Sequence, residues 1–518
     1  MSEHVKALFI ILFLATVTLA VAQKPASAEA SEIEDFKRRR NLWLFITVSA
    51  FLAFDFWIYS ALAAAAIAFS NAKERNKLAM FFFVLFAVPP FNKDVGVGGI
   101  NLLFQLNYLR LLELTILLPA ALSLMKQPNR RQVGFSVSLP DKFVAMFIIL
   151  HISLIASVNS ITGIMREGIL YSITDMILPY YVASRSLKNL ADFRDALMSF
   201  LIAGLIISAI GMFEFTRHWL LYSTLPSALG VTWGLGGYLN RGNLLRAQAT
   251  TGQAIPLGYA ITVAIGFALY LWKLIPGSGK RLLCIAVLAG GLISPLSRGP
   301  WIGAAVMILV FIVTGPNPGK TLVQLAVVAV VAVPLLMVTP VGPKLIDYLP
   351  FVGTVETDNV TFRQRLLEIS IEVIKQNPYF GTFDFLNQPA FTELKTGTGL
   401  LDIVNTYVAI GLSYGLVGLT LFSSFFISVC VSIVIQMSKV GRDDEEYLLG
   451  RALLSALIGI MITIFTVSSI TIIPVIYWTV GGLGVAYSTM LGSGTARIAA
   501  SGRSTSRFSR QTGRYRSV

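Results

Sequence analysis

Acidic and basic side chains are scarce along these 518 residues, together 13% of them, while hydrophobic residues make up 55% and mean hydropathy is +0.72. That balance excludes a soluble globular domain. Two cysteines, Cys284 and Cys430, both inside apolar runs, offer neither a disulfide framework nor metal-ligand spacing. Three histidines, His4, His151 and His218, are too scattered for a zinc site. Short alternating strands are missing, which excludes a membrane β-barrel. No internal repeat and no chain of acids marks a transport route. The net charge of +14 sits largely in short loops and the C-terminal tail, where it reports membrane orientation rather than nucleic-acid binding.

What the chain does have is apolar runs of about twenty residues, enough to cross a hydrocarbon core of about 30 Å as helix. The pattern predicts helices near 78–90, 107–125, 142–160, 161–182, 195–214, 254–273, 281–296, 300–314, 321–340, 405–436, 450–470 and 472–491. Ahead of them, Met1 to Ala22 reads either as a secretory signal ending in Ala20-Val-Ala22 or as an uncleaved first helix. The apolar run from Leu42 to Ser70 reads as one long helix or as a hairpin around Asp55. The predicted organisation is a signal-like or transmembrane segment with a basic linker (1–40), a membrane region (41–340) with a loop at about 217–253, a large loop (341–404), C-terminal membrane helices (405–491) and a basic tail (492–518).

The connections alternate in charge. Basic loops at 73–77, 126–142, 185–194, 273–281, 320 and 439–451 predict a cytoplasmic side that also takes the acid-free tail. The opposite side then receives Phe91–Asn107, Arg217–Gln253, the Ser297-Arg298-Gly299 turn and the long polar loop. Polar insertions of that length are uncommon unless functional.

That long loop holds an amphipathic helix from Thr361 to Gln376. At about 100° per residue, Phe362, Leu366, Leu367, Ile369, Ile371, Val373 and Ile374 share an arc with Arg363. A guanidinium on a packing face cannot shed its charge, so Arg363 is expected buried beside an anion, from protein or substrate. Arg365 falls on the polar face beside Glu368 and reads first as a locally paired surface residue. The earlier loop ends in Arg241 and Arg246 among amides and glycines, just before a helix N-terminus, a combination suited to an oxyanion or phosphate. Each arginine near a membrane face also reads as an interfacial anchor, and Arg298 as a headgroup contact or helix cap. Within the membrane, Asp55, Arg110, Glu113, Asp175 and Glu214 are the notable ionisable positions, with Arg110 and Glu113 spaced to pair on one helix.

Five motifs in order carry a family resemblance: Arg246 with Gly252, Pro256 and Gly258; Ser297-Arg298-Gly299; Arg363 with Leu367; Asn377-Pro378-Tyr-Phe-Gly381; and Asn405 ahead of Gly415-Leu-Val-Gly418. From about Phe200 to Gly418 the chain resembles the O-antigen ligase and Wzy-type polysaccharide polymerase superfamily of bacterial inner-membrane glycosyltransferases. The resemblance implies an all-α polytopic fold of the GT-C type with about twelve to fourteen membrane helices and a long periplasmic loop before the last three. It implies a multi-pass protein of the cell inner membrane whose active site faces the periplasm. The implied reaction is metal- and cofactor-independent: an inverting glycosyl transfer from an undecaprenyl-diphosphate-linked oligosaccharide. Implied partners are that carrier-linked glycan, membrane lipids, and the chain-length regulator and flippase of the same pathway, with no nucleic acid.

On that reading Arg363, Arg246 and Asp402 are the candidate catalytic residues, with Asp402 as general base. Arg241, Arg298, Arg365, Asn405 and Glu393 are candidate substrate-binding residues, Glu393 being also the second candidate for the base. The family's ligases carry a histidine required for activity just before the Asn405 position, whereas this chain has Val404. Valine neither accepts a proton nor donates a hydrogen bond. The sequence therefore favours a polymerase of O-antigen or exopolysaccharide over a ligase acting on lipid A core or protein. A lipid-linked glycan transporter is the reading from another class.

Overall fold

The computed structural model describes residues 2–97, 100–126, 138–231, 237–338, 357–389, 391 and 402–512. Helix α1 (Glu3–Glu29) buries Ala7, Ile11, Ala15 and Leu19, and its long neighbour is α8 (Leu190–Arg217). The Leu42–Ser70 run is a hairpin: α2 (Ile33–Leu52) and α3 (Phe56–Lys73) break at Asp55. Its carboxylate accepts the Trp57 and Ile58 backbone N–H groups at 2.8 and 2.9 Å, satisfying donors that a helix start leaves open.

Helix α4 (Lys77–Val84) leads into an antiparallel hairpin, β1 (Asn92–Val97) and β2 (Ile100–Asn107), with Asn92 opposite Asn107 and Asp94 opposite Gln105. The charge pattern places Phe91–Asn107 only as a connection between membrane helices, without strands. The signal was the Gly98-Gly99 pair between Val-rich and Leu-rich flanks, a hairpin composition. Then come α5 (Tyr108–Met125), α6 (Leu139–Val158), α7 (161–186) and α8. Both α5 and α7 contain π-helical turns, at Glu113–Leu117, Ile164–Leu170 and Ile173–Ile177.

A second, two-residue ladder joins β3 (Asn240–Arg241) to β4 (Leu244–Leu245). After it run α9 (Ala254–Leu271), α10 (Ser278–Ile293), α11 (Arg298–Val313), α12 (Pro318–Val338), α13 (Thr357–Gln376), α14 (Thr406–Met437), α15 (Glu445–Ile464) and α16 (Ile473–Thr512). Most starts lie within a few residues of those predicted, and α16 continues through much of the basic tail. One correction concerns residues 465–472, expected almost wholly inside helices: α15 stops at Ile464 and α16 begins at Ile473. Two serines and two threonines interrupt the apolar pattern there, and their side chains compete for backbone groups.

Among the described residues, seven helices are long and apolar enough to cross a membrane, α1, α5, α6, α8, α9, α14 and α15. The molecule is an all-α polytopic membrane protein. Helix α8 runs through its middle against α1, α4, α9 and α10. Small residues permit the closest crossings, because lipid offers apolar side chains no reason to leave it and close backbone contact must hold the helices together. A Cβ on Gly291 would lie 2.4 Å from the Ser208 Cβ, and one on Gly303 would lie 1.9 Å from the Thr463 Oγ1.

The two ends of the bundle differ. At the end with the basic loops, ion pairs tie the connections together. Arg39, 1% exposed, donates to Glu74 at 2.7 Å and to Asp195 at 2.6 and 2.9 Å. Arg185 donates to Asp141 at 2.6 Å, and Arg194 donates through Nε to Glu445, also at 2.6 Å. The Lys37–Arg40 cluster is thus helical, and Arg39 is a buried strut rather than a free topology signal. The other end carries both hairpins and the 465–472 loop.

Candidate active site

At that second end, Arg241, Arg246, Arg298 and Arg363 line one cavity of about 230 Å³ together with Ile255, Ser297, Gly299, Val404, Thr466 and Val467. No described residue lining it is a carboxylate. The four guanidiniums come from four places in the chain: the β3–β4 ladder, the strand's exit, the N-terminus of α11 and the second turn of α13. Arginine keeps its charge at any accessible pH, so the four guanidiniums are lasting donors to an anion that enters the chamber. The α11 N-terminus adds its own backbone N–H groups and dipole.

The approach of each arginine has a cause. Glu214, 1% exposed near the end of α8, accepts the backbone N–H groups of Leu221, Gln248 and Ala249 at 3.0, 2.9 and 2.8 Å. One carboxylate thereby pins both flanks of the 218–247 excursion that carries Arg241 and Arg246. The Arg246 Nε donates to the Pro295 carbonyl at 3.1 Å and the Arg241 Nη1 to the Leu296 carbonyl at 2.5 Å, fastening that excursion to the turn before Arg298. Leu296 and Ala249 both hold left-handed backbone, with φ of 47° and 45°, an expense commonly found at functional sites. Gly299 lets the Thr466 hydroxyl approach, since a Cβ there would lie 2.4 Å from it.

The Asn377–Gly381 motif and Gly415 turn out to be two halves of one joint. Helix α14 breaks its ladder at Gly415, whose φ is +63°. The amides this frees are taken up by the motif: Leu416 N–H donates to the Pro378 carbonyl at 2.8 Å and Val417 N–H to the Tyr379 carbonyl at 3.2 Å. In return Thr382 N–H donates to the Leu412 carbonyl at 2.7 Å. Gly381 also has φ +63°, and a Cβ on it would sit 2.3 Å from the Leu412 oxygen, while one on Gly415 would sit 2.3 Å from Tyr379. The joint locks α13 to α14, and so Arg363 to Val404.

Arg363 itself requires a correction. It lies in phase with Ser370, which is fully buried, yet Arg363 is exposed. Leu366, Ile369 and Val373 pack beside Leu412 and Phe391, whereas the preceding turn reaches past that contact to the cavity rim. A helical wheel gives direction but not how far along its axis a helix is covered.

The remaining candidates are placed as follows. Arg365 faces away from the cavity and meets Glu368 at 3.3 Å. Asn405 caps α14, its Oδ1 accepting the Tyr407 and Val408 N–H groups at 3.0 and 3.2 Å. Asp402, exposed, accepts the Ser468 hydroxyl at 2.6 Å, two residues from cavity-lining Val404. Glu393 lies outside the described residues. Arg110 does not pair with Glu113; it donates to Asp175 at 3.2 Å and to the Gln105 carbonyl at 2.8 Å and stacks on Tyr171.

Residues 282–423 match the family model described as O-antigen ligase. The match is to an O-antigen ligase domain of the Wzy superfamily and covers about a quarter of the chain. The domain takes in Arg298, Arg363, the Gly381–Gly415 joint, Val404 and Asn405 but not Arg241 or Arg246, which reach its cavity from earlier in the chain. The match supports, at family level, a glycosyltransferase-type reading of the cavity. No curated protein matches the chain.

The sequence reading missed Thr466, Val467 and Glu214 as site elements. Thr466 and Val467 belong to the loop hidden between two apolar runs. Glu214 stood out as an intramembrane acid, but nothing local says which backbone amides it will accept.

Proposed function

We propose that the arginine-lined cavity receives the diphosphate of an undecaprenyl-diphosphate-linked glycan, and that the protein is a polysaccharide polymerase working at the periplasmic face of the inner membrane. The observation that carries this is the convergence of Arg241, Arg246, Arg298 and Arg363 on one chamber. A hydroxyl at the non-reducing end of the next carrier-linked repeat attacks the anomeric carbon of the growing chain with inversion. The anomeric C–O bond to the diphosphate breaks, and the departing diphosphate keeps the electron pair. Arg246 and Arg363 stabilise the charge that grows on it, and Arg241, Arg298 and the α11 N-terminus share that load. Asp402 is the candidate to take the acceptor proton. No step calls for a metal, since guanidiniums supply the counter-charge.

Val404 supports polymerase over ligase, because the imidazole that ligases place there is missing. The family description supports the second reading, transfer to lipid A core or protein. The test is product analysis of cells carrying Arg363→Ala or Arg246→Ala. The polymerase reading expects single carrier-linked repeats to accumulate at the periplasmic face and long chains to vanish. Long polymer retained on the carrier lipid means a ligase, repeats trapped on the cytoplasmic face mean a flippase, and full-length glycan from both variants removes the enzymatic role of the cavity.

A further inference from the structure

A second chamber of about 310 Å³ lies at the same end of the bundle, its lining including Asn92, Gln105, Tyr108 and Asp175. It shares two walls with the arginine cavity. The segment that gives Arg246 to the first gives Thr251 and Gly252 to the second. The loop that gives Thr466 and Val467 to the first gives Ser469 and Thr471 to the second. The Thr406 hydroxyl holds that loop by donating to the Val467 carbonyl at 2.9 Å, and it meets the Ser469 hydroxyl at 3.0 Å.

The chemistry of the two chambers is opposite. The second is lined by amides, hydroxyls and one carboxylate, with no arginine or lysine among its described lining residues. The Arg110 guanidinium offsets the Asp175 charge, so the described lining offers a phosphate no surplus of positive charge. Asp175 is held in place: one oxygen accepts the Thr174 hydroxyl at 2.6 Å and the other the Arg110 guanidinium at 3.2 Å, yet a third of its side chain stays exposed. Arg110 is itself fixed against the Tyr171 ring and the Gln105 carbonyl. A pinned, part-exposed carboxylate surrounded by amides presents acceptors and donors in the mixture that vicinal hydroxyls satisfy. Phe91 and Tyr108, both buried, form a firm wall behind these groups. The size lies at the lower end of the range of about 300–1,000 Å³ typical of small-molecule sites. Asp175 sits on a π-helical turn, a distortion that recurs at functional positions.

We propose that this chamber is the acceptor-saccharide subsite, with Asp175, Gln105 and Asn92 hydrogen-bonding the hydroxyls of an uncharged terminal sugar. The inference rests on the donor reading of the arginine cavity only for the word acceptor; saccharide binding here stands by itself. Arg110 is a positioning residue, since it acts by holding Asp175.

Two probes separate the sites: undecaprenyl diphosphate, and the glycan released by mild acid from carrier lipid of a strain lacking this gene. Both are titrated into the purified full-length protein in detergent. Asp175→Asn and the double variant Asn92→Ala/Gln105→Ala are expected to weaken glycan binding tenfold or more while leaving undecaprenyl diphosphate binding within twofold. Arg246→Ala and Arg363→Ala are expected to do the reverse. The double variant keeps the test open should Asp175→Asn, which leaves Arg110 short of a partner, fail to fold. Glycan binding that ignores both changes, falls together with undecaprenyl diphosphate binding, or is absent from the unaltered protein overturns the proposal. If glycan binding behaves as expected but the arginine variants leave undecaprenyl diphosphate binding intact, the donor reading fails and the saccharide site stands.

Discussion

Arginine does two different jobs at the two ends of this bundle. At the basic-loop end Arg39 and Arg185 meet carboxylates brought from other parts of the chain, Arg39 with Glu74 and Asp195 and Arg185 with Asp141. At the other end four guanidiniums line one cavity, and the described residues lining it include no acid. A guanidinium enclosed with its carboxylates is a strut, whereas guanidiniums lining a void have a face an incoming anion can reach. The lesson is that the residue type says little about the job until its neighbours are known.

The strongest way to test that contrast is to remove one arginine from each end. Arg39→Ala leaves Glu74 with Arg38 alone and takes from Asp195 its guanidinium, and breaking such a buried group costs about 3–5 kcal/mol. Thermal unfolding in detergent should show a large drop, with specific activity of the surviving folded fraction unchanged. Arg363→Ala should do the opposite: melting close to the unaltered protein, but turnover down about 10²–10³-fold, as when a donor to a transition-state charge is lost. If both variants shift both measurements alike, the two ends are not distinct in kind.

The joint between α13 and α14 sharpens the comparison, because it joins the cavity's arginine to the membrane helices. Gly415→Ala forces a side chain into the Tyr379 backbone at a left-handed position, a strain of about 1–3 kcal/mol. Hydrogen exchange at the Leu416 and Val417 amides should speed up and turnover should fall, with α8 protection unaffected. Unchanged exchange at those two amides would mean that the joint is not what holds α13. Asn405→Ala removes a helix cap worth about 1 kcal/mol. Its effect should appear as earlier fraying of α14 rather than as loss of undecaprenyl diphosphate binding; a loss of that binding would assign Asn405 to the substrate.

The smallest effect expected is a pH dependence from the strut. Burial pushes the Glu74 carboxyl up, but the Arg39 and Arg38 guanidiniums outweigh it and hold the group below the usual carboxylate range. Its folded pKa is therefore lower than its unfolded one. The resulting stability is fully present above the ordinary carboxylate value and is lost as pH falls toward the depressed one. Stability of the unaltered protein should be flat through neutral pH and decline in acid, and Glu74→Gln should flatten that acid decline. An acid limb identical in the two proteins would show that Glu74 does not set it.

The helices were legible because lipid imposes a simple rule. Every spanning segment must be apolar and must satisfy its own backbone, so hydropathy and length alone locate α5 to α12 and α14 to α16. The site was legible in part, because its arginines stood at loop ends among glycines. Glu214 as a clamp, Thr466 and Val467 as walls, and the β1–β2 hairpin as a rim of the second chamber were not, since each depends on a partner far away in sequence.

By itself, then, the sequence determined the class of the molecule, the approximate positions of most of its helices and which arginines lie near one face, all of which follow from local composition and solvent. Only the tertiary structure decided that Arg363 is exposed at a cavity rather than buried, that Gly381 and Gly415 form one joint, and that Asp175 rather than Glu113 meets Arg110. Those outcomes turn on which backbone groups are left unsatisfied when helices meet, and no window of sequence contains both sides of such a meeting.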